Sequence, residues 1–252
     1  MKIVLSPAKS LDYTTPVTTD NYTLPDFLED TKLLNEVLKT KSPSELAKLM
    51  HISNKLADLN FNRFQKWSLP FTSKNSRQAL FAFNGAVYDG LDAYTLNQKQ
   101  IENLQSKLRI LSGFYGILRP LDLMQPYRLE MGTKLKFNKY KNLYDYWQDK
   151  VTLKLNQELQ KDEPFINLAS NEYFKVINKK LLKTKIITPV FKDLKNEKLK
   201  IIAIYAKKAR GMMVRYIVEN GIEKAEDLKG FNMANYAFDS KLSTDTELVF
   251  TR

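Results

Sequence analysis

The chain has 252 residues, no Cys, a single His and a formal charge of +12, and these counts exclude several classes of protein. With 43% apolar residues it can bury one sizeable core, which excludes a disordered chain, a collagen and a mini-protein. Without Cys there is no disulfide framework, no Cys-ligated zinc or iron–sulfur cluster and no Cys nucleophile. His51 alone cannot supply a metal site that needs two imidazoles from one chain. Carboxylate, Lys, Arg, hydroxyl and backbone chemistry remain, and the basic balance predicts an anionic partner.

The positive charge is concentrated in the middle of the chain. Met1 to Thr133 carries 16 Lys or Arg and 13 Asp or Glu, Lys134 to Arg215 carries 20 and 8, and Tyr216 to Arg252 carries 4 and 7. Such segregation is typical of a one-sided surface that binds a polyanion. The alternative is that these Lys residues lie singly on exposed helices and turns.

The first residues do not have the pattern of a targeting segment. Only three consecutive apolar residues, 3–5, precede Ser6 and Pro7, whereas the apolar region of a signal peptide has about 7–15. No window approaches the ~18–20 apolar residues of a membrane span. We therefore expect a cytoplasmic protein without membrane association.

The elements predicted along the chain interleave helices and strands without a strict βαβ rhythm. A short strand over 3–5 precedes two or three helices within 24–59, and strands over 79–83 and 87–88 flank the turn dipeptide Asn84-Gly85. Further helices are predicted over 97–111, 140–159 and 205–220, and further strands over 165–168, 185–188, 200–205 and 247–250. No repeat or Gly/Ser linker divides the sequence. We expect the α+β class, with one mixed α/β domain over 1–252.

Residues 44–58 follow the pattern of a helix-hairpin-helix motif, with its glycines replaced by His51 and Ser53. In that motif the backbone N–H groups at the start of the second helix contact a nucleic-acid phosphate, so Ser53, Asn54 and Lys55 are candidate contacts. Ser53 is a good N-cap, and His tolerates the positive φ that the first glycine position requires. The alternative is an ordinary helical hairpin with a buried apolar stripe. Lys55 also matches the nucleophile of helix-hairpin-helix glycosylases, but the required downstream Asp is missing between Asp58 and Asp89.

The predicted helix over 205–220 is basic. Its cations are candidate phosphate contacts, and Gly211 falls among them in projection. A mid-helix Gly costs about 1 kcal/mol relative to Ala, so it requires a reason. Either a phosphate or a backbone segment approaches closely there, or the Gly relieves a crowded packing contact. The candidate residues are Lys207, Lys208, Arg210 and Arg215.

Two further segments could line the same anion-binding surface. Residues 111–132 are rich in Gly, Pro and aromatic residues and contain Arg119 and Arg128, which fit an anion-binding loop or pair internally with Asp122 and Glu130. Ser6-x-x-Lys9 has the spacing of a nucleophile and its base, although cap and turn roles are the simpler interpretation.

The residues 5–13, 111–132, 166–174 and 205–211 resemble the signature segments of the YaaA family of bacterial peroxide-stress-response proteins. The resemblance implies a family-specific mixed α/β fold, a cytoplasmic location, and protection during hydrogen peroxide stress linked to intracellular iron and DNA damage. It also implies binding of duplex and branched DNA through a basic cleft and a helix-hairpin-helix. It brings no established enzymatic activity and no cofactor.

Two hypotheses from different classes follow. The first is a non-enzymatic DNA-binding protein that neutralises phosphates with Lys and Arg. The second is an enzyme acting on a nucleotide or another phosphorylated substrate at Ser6, Lys9 and the central Arg loop. Direct iron storage is disfavoured because any iron site would consist almost entirely of oxygen ligands, and no metal site is predicted.

Overall fold

The computed structural model describes all 252 residues, and an eight-stranded sheet forms its centre. The strands are β1 (Lys2–Leu5), β2 (Ser10–Leu11), β3 (Arg77–Gln78), β4 (Phe83–Asn84), β5 (Leu108–Ser112), β6 (Gly116–Leu118), β7 (Leu123–Met124), β8 (Phe165–Leu168), β9 (Ile186–Lys195), β10 (Lys198–Lys200), β11 (Ala237–Phe238) and β12 (Glu247–Thr251). The α-helices are α1 (Leu28–Lys39), α2 (Pro43–Met50), α3 (Asn54–Lys66), α4 (Ala79–Ala82), α5 (Ala86–Leu91), α6 (Gln98–Lys107), α7 (Leu143–Glu158), α8 (Asn171–Phe174) and α9 (Ala203–Glu219). None of these helices is long and apolar enough to cross a membrane.

The central sheet is mostly parallel. Its order is β11-β12-β9-β8-β1-β5-β6, with β10 attached to β9 as an antiparallel hairpin. The five strands from β12 to β5 run parallel, whereas β6 and β11 pair antiparallel at the two ends. Two small sheets, β2-β4 and β3-β7, lie apart from it. The expected mixed α/β architecture is confirmed.

The direction of strand addition reverses beside β1. The chain passes from β1 to its neighbour β5 and then returns to β8 on the opposite side of β1, with β9 and β12 added outward from there. In an open α/β sheet, such a reversal separates the loops that follow the two strands and leaves a crevice at their carboxyl ends, where ligands bind. The register pairs Leu5 with Leu168, so the residues after β1 and β8 meet in this crevice.

Several predicted strands are helical in the structure. Residues 79–83 and 87–88 fall largely in α4 and α5, and the predicted strand over 200–205 is mostly the start of α9. Short apolar runs have no periodicity that separates a strand from a buried helical turn. In the last case Ile201, Ile204 and Tyr205 are exposed, so their apolar character does not report a buried strand.

The predicted helix over 97–111 is wrong in its second half. It ends at Lys107, and Leu108–Ser112 forms β5, the buried partner of β1. The spacing of Leu104, Leu108 and Leu111 fits a helix, but a fully buried parallel strand is also rich in Leu and Ile. The strands β1, β8 and β12 and the helices α7 and α9 are confirmed close to their predicted bounds.

Candidate functional site

A pocket of about 280 Å³ opens at the carboxyl ends of β1 and β8. Ser6 follows β1 and Ser170 lies two residues beyond β8. The Ser6 hydroxyl accepts a hydrogen bond from the Ser170 backbone N–H at 2.8 Å and donates to the Ser170 hydroxyl at 3.2 Å. The Tyr88 hydroxyl donates to the Ser6 carbonyl at 3.2 Å. These bonds join the two strand ends and fix the floor of the pocket.

The walls of the pocket come from α5 and α9. Val87 and Leu168 are apolar lining residues, and α9 contributes Lys207 and Arg210. Tyr173 also lines the pocket, and burial raises its pKa well above the ordinary value, so its hydroxyl stays neutral at physiological pH. The pocket therefore combines an apolar surface with two cations from α9 and with Lys9, which follows β1.

Two glycines bring α5 and α9 together. A Cβ at Gly211 would lie 1.8 Å from the Val87 carbonyl oxygen, and a Cβ at Gly90 would lie 2.1 Å from the Lys208 carbonyl oxygen. Each glycine therefore allows the backbone of the other helix to pass at contact distance. Gly211 is buried in this packing contact, so it is not available to a phosphate. Of the two explanations that the sequence left open, the structure shows the packing contact.

The cations of α9 differ in their partners. Only Arg215 forms ion pairs, with Glu219 at 2.7 Å and Asp92 at 3.6 Å, and its guanidinium also donates to Thr95 at 2.7 Å. Lys207 and Arg210 have no carboxylate partner. Burial lowers the pKa of Arg210 from its ordinary value, and no nearby charge acts in the opposite direction. An Arg remains protonated under such a shift, so the pocket holds an uncompensated positive charge.

A second pocket, of about 390 Å³, adjoins the first and shares Lys9 and Glu172 with it. Lys9 lies 2.9 Å from Glu130, which is also 3.3 Å from Arg128, and Glu172 accepts the Gly132 N–H at 3.1 Å. The second pocket is also lined by the end of α2, the residue that follows it, and Lys134. These lining residues are Leu49, Met50, His51 and Lys134. We call the two joined pockets the groove.

The loop between α2 and α3 ends the groove. His51 has φ 52°, the left-handed conformation expected at the first glycine position of the pattern, and its side chain is exposed. Ser53 is confirmed as the N-cap of α3, where its hydroxyl accepts the Leu56 N–H at 3.4 Å. Asn54 and Lys55 are exposed at the start of α3. Leu46 and Ala57 are buried, so the apolar stripe packs into the core as the alternative of an ordinary hairpin also predicts.

Arg119 and Lys208 lie outside the groove lining, whereas Lys9 lines it. Arg119 pairs with Asp122 at 3.0 Å and donates to the Leu24 carbonyl, an internal contact that the sequence allowed. Lys208 is exposed on α9 without lining either pocket. Lys9 contacts Glu130 and makes no hydrogen bond to Ser6, so the nucleophile and base pair is not assembled.

Among the groove residues that sequence reasoning did not single out are Lys134, Ser170, Glu172 and Tyr173. Lys134 is one of many lysines in its segment, and its spacing carries no signal. Glu172 lies within the segment 166–174 that carries the family resemblance, which was the one indication available.

The comparisons with known proteins identify the family of the chain over its whole length. The profile described as peroxide stress protein YaaA matches residues 1–242. A UPF0246 protein of Flavobacterium johnsoniae is 57% identical over 252 residues, covering all of both chains. Relatives from Flavobacterium psychrophilum and Aliivibrio fischeri, also described as UPF0246 proteins, are 56% and 55% identical, and the alignments cover all of this chain and 100% and 98% of theirs.

A mixed α/β protein with a cation-lined crevice at the strand reversal is the class that the fold and the site define. The chain belongs to the peroxide stress protein YaaA family, UPF0246. The resemblance in the four sequence segments is thereby confirmed.

Proposed function

We propose that this protein binds duplex or branched DNA through the groove during the peroxide stress response, and so limits iron-dependent damage to DNA. The observation that carries the proposal is the continuity of the groove. The α2–α3 loop lies at one end and the unpaired cations of α9 lie at the other, with Lys9 and Glu172 shared between the two pockets. A DNA backbone presents phosphates in a row, which suits such an elongated surface.

Each part of the groove has a role in this proposal. Lys and Arg side chains neutralise phosphates and release counterions, which supplies affinity without sequence preference. Asn54 and Lys55 are exposed at the start of α3, and the first backbone N–H groups of a helix are available to hydrogen-bond a phosphate. These contacts position the duplex and read no bases, so we expect DNA binding with weak sequence preference.

The test is fluorescence anisotropy with a labelled duplex and a four-way junction. The variant Lys55→Gln/Lys134→Gln removes two cations at the hairpin end of the groove, and we expect weaker binding and a salt slope about 2 smaller in magnitude. The matched control is Lys161→Gln/Lys183→Gln. These exposed lysines precede β8 and β9, at the amino ends of the strands, whereas the groove lies at the carboxyl ends. Equal affinity of both double variants and the wild type would remove the groove from the proposal.

The alternative function is an enzyme acting on a nucleotide or another phosphorylated substrate at Ser6 and Lys9. The concave pocket beside Ser6, about 280 Å³ in volume, is of a size that suits a small ligand. The contact of Lys9 with Glu130 opposes a Ser–Lys mechanism, because the Lys9 amino group lies against this carboxylate and makes no hydrogen bond to Ser6. Phosphate release from nucleotides by the pure protein, lost in Ser6→Ala, would favour the enzyme.

A further inference from the structure

The first pocket, which we call the Ser6 pocket, has features that a surface groove for a continuous DNA strand does not require. A strand that runs past a protein needs exposed cations, such as Lys134 and Lys55. Arg210 is instead partly buried and lines a recess whose floor is formed by the joined ends of β1 and β8. A guanidinium loses hydration in such a place, and a protein usually compensates this loss with a carboxylate.

No carboxylate compensates Arg210. The ion pairs of α9 involve Arg215 alone, and burial is the one cause of the lowered pKa of Arg210. Glu172, the one acidic residue lining the pocket, accepts the Gly132 N–H on the side toward the second pocket. Arg210 and Lys207 therefore form a pair of cations without a carboxylate partner in the protein. We infer that their partner is the anionic group of a ligand.

The shape of the pocket restricts which anion fits. A phosphodiester carries one negative charge and continues on both sides, so it passes over a recess. A phosphate monoester carries about −1.5 to −2 at neutral pH and offers three terminal oxygens, so it can enter a recess and meet two cations. Beside the cations, Val87, Leu168 and Pro7 supply an apolar wall suited to a sugar and a base.

We propose that this pocket binds the terminal phosphate monoester of a nucleotide. Lys207 and Arg210 hold the phosphate, and the apolar wall contacts the attached nucleoside. The choice of a nucleotide rests on the proposed DNA-binding function. The same chemistry is offered by the 5′-phosphate end of a DNA strand and by a free nucleoside 5′-monophosphate, and the experiment separates these sources.

The experiment compares binding of two otherwise identical short duplexes, one with 5′-phosphate ends and one with 5′-hydroxyl ends, and of dTMP alone by calorimetry. For a strand end, we expect the phosphorylated duplex to bind about tenfold more tightly, the effect of one charge-assisted contact. The preference should be lost in Arg210→Gln and in Lys207→Gln. Lys207 is exposed, so its substitution leaves the fold intact if Arg210→Gln does not.

The matched control is Lys208→Gln, since Lys208 is the exposed neighbour of Lys207 on α9 and lines neither pocket. This variant should keep the 5′-phosphate preference. Binding of dTMP that depends on Lys207, without a preference between the duplexes, would assign the pocket to free nucleotides. Equal binding of the two duplexes together with no binding of dTMP overturns the inference. In that outcome, DNA binding by the 5′-hydroxyl duplex still supports the proposed function. The opposite result, binding of dTMP without binding of either duplex, would reject the proposed function alone.

Discussion

Gly211 has no room for a methyl group. Its Cβ would lie 1.8 Å from the Val87 carbonyl oxygen and 2.8 Å from the Leu91 backbone nitrogen, and backbone atoms of a packed helix cannot move aside cheaply. We expect Gly211→Ala to lower the free energy of unfolding by about 1–3 kcal/mol, as overpacking does. Urea denaturation measures the loss.

The control for this prediction is Gly221→Asn. Gly221 has φ +59°, and nothing lies within 4 Å of an added Cβ. Asn adopts the left-handed region readily, so we expect a change below about 1 kcal/mol. A Gly211→Ala variant as stable as Gly221→Asn would mean that α5 and α9 can separate.

The carboxylate of Glu45 makes the stability of the start of α2 depend on pH. The Ser42 backbone N–H and hydroxyl each donate to the Glu45 carboxylate at 2.7 Å, and these hydrogen bonds lower the pKa of Glu45. A carboxyl with a lowered pKa in the folded state stabilises the protein above its unfolded pKa, and this stabilisation is lost as the pH falls through the folded pKa. We expect Glu45→Gln to be less stable than the wild type at pH 7, with the difference closing below about pH 4.

Urea titrations of both proteins across this range measure the effect. A gap of constant size at every pH would show that the ionised carboxylate contributes nothing beyond what the Gln amide supplies at this cap.

At the scale of elements, the α2–α3 loop shows what a motif pattern can establish. The helical hairpin, the Ser53 cap and the positive φ of His51 followed from residue types and spacing, whereas α3 runs to Lys66, beyond the predicted limit at residue 59. The pattern could not separate a DNA-binding hairpin from a packing hairpin, because Leu46 and Ala57 are buried in either case. What the loop faces depends on contacts with distant segments, such as Lys134, that no local spacing encodes.

A glycine at position 51 tests the strain in this loop. A side chain in the left-handed region costs about 1 kcal/mol at His51, and substitution by Gly removes this strain. Gly also increases the conformational freedom of the unfolded chain, which offsets part of the gain. We expect His51→Gly to raise the free energy of unfolding by about 0.5 kcal/mol relative to His51→Ala. If the Ala variant is the more stable of the two in urea, the loop does not hold residue 51 at positive φ in solution.

The sheet illustrates the opposite case, in which local sequence was misleading. Leu108–Ser112 continues the helical spacing of α6, yet it forms a central strand because β1 needs a parallel partner on that side. Likewise, α4 and α5 are built from apolar aromatic runs that are typical of strands. Tertiary burial decided these elements, and burial is set by residues far away in the sequence.

At the scale of the whole molecule, the charge of the middle segment does not form a single face. Of the 20 Lys and Arg between Lys134 and Arg215, three line the groove, namely Lys134, Lys207 and Arg210. Others lie on the β9–β10 hairpin or before β8, and two on α7 pair with Asp26 and Asp30. A contiguous charge count therefore overestimates the cations at one surface, because successive elements point in different directions.

This distribution predicts the salt dependence of DNA binding. Apart from Lys207 and Arg210, which we assign to a terminal phosphate, four cations line the groove or stand at its hairpin end. A slope of about −0.9 per phosphate contact then gives a log K against log[salt] slope of about −3.6 on duplex DNA with 5′-hydroxyl ends. The four are Lys9, Lys55, Arg128 and Lys134. Anisotropy titrations between low and physiological salt give this value directly. A slope near −10 would show that lysines outside the groove, such as those of the β9–β10 hairpin, also contact the DNA.

The close crossing of α5 and α9 has a consequence for what the protein can accept. Val87 on α5 and Lys207 and Arg210 on α9 all line the Ser6 pocket, and the helices that carry them touch through their backbones at Gly90 and Gly211. Backbone contact cannot tighten, and loosening it would open the core. The side of the pocket that these helices form is therefore rigid before any ligand arrives, so the nucleotide that we propose must fit the existing space. We expect a nucleotide with a terminal group bulkier than a phosphate monoester to bind more weakly.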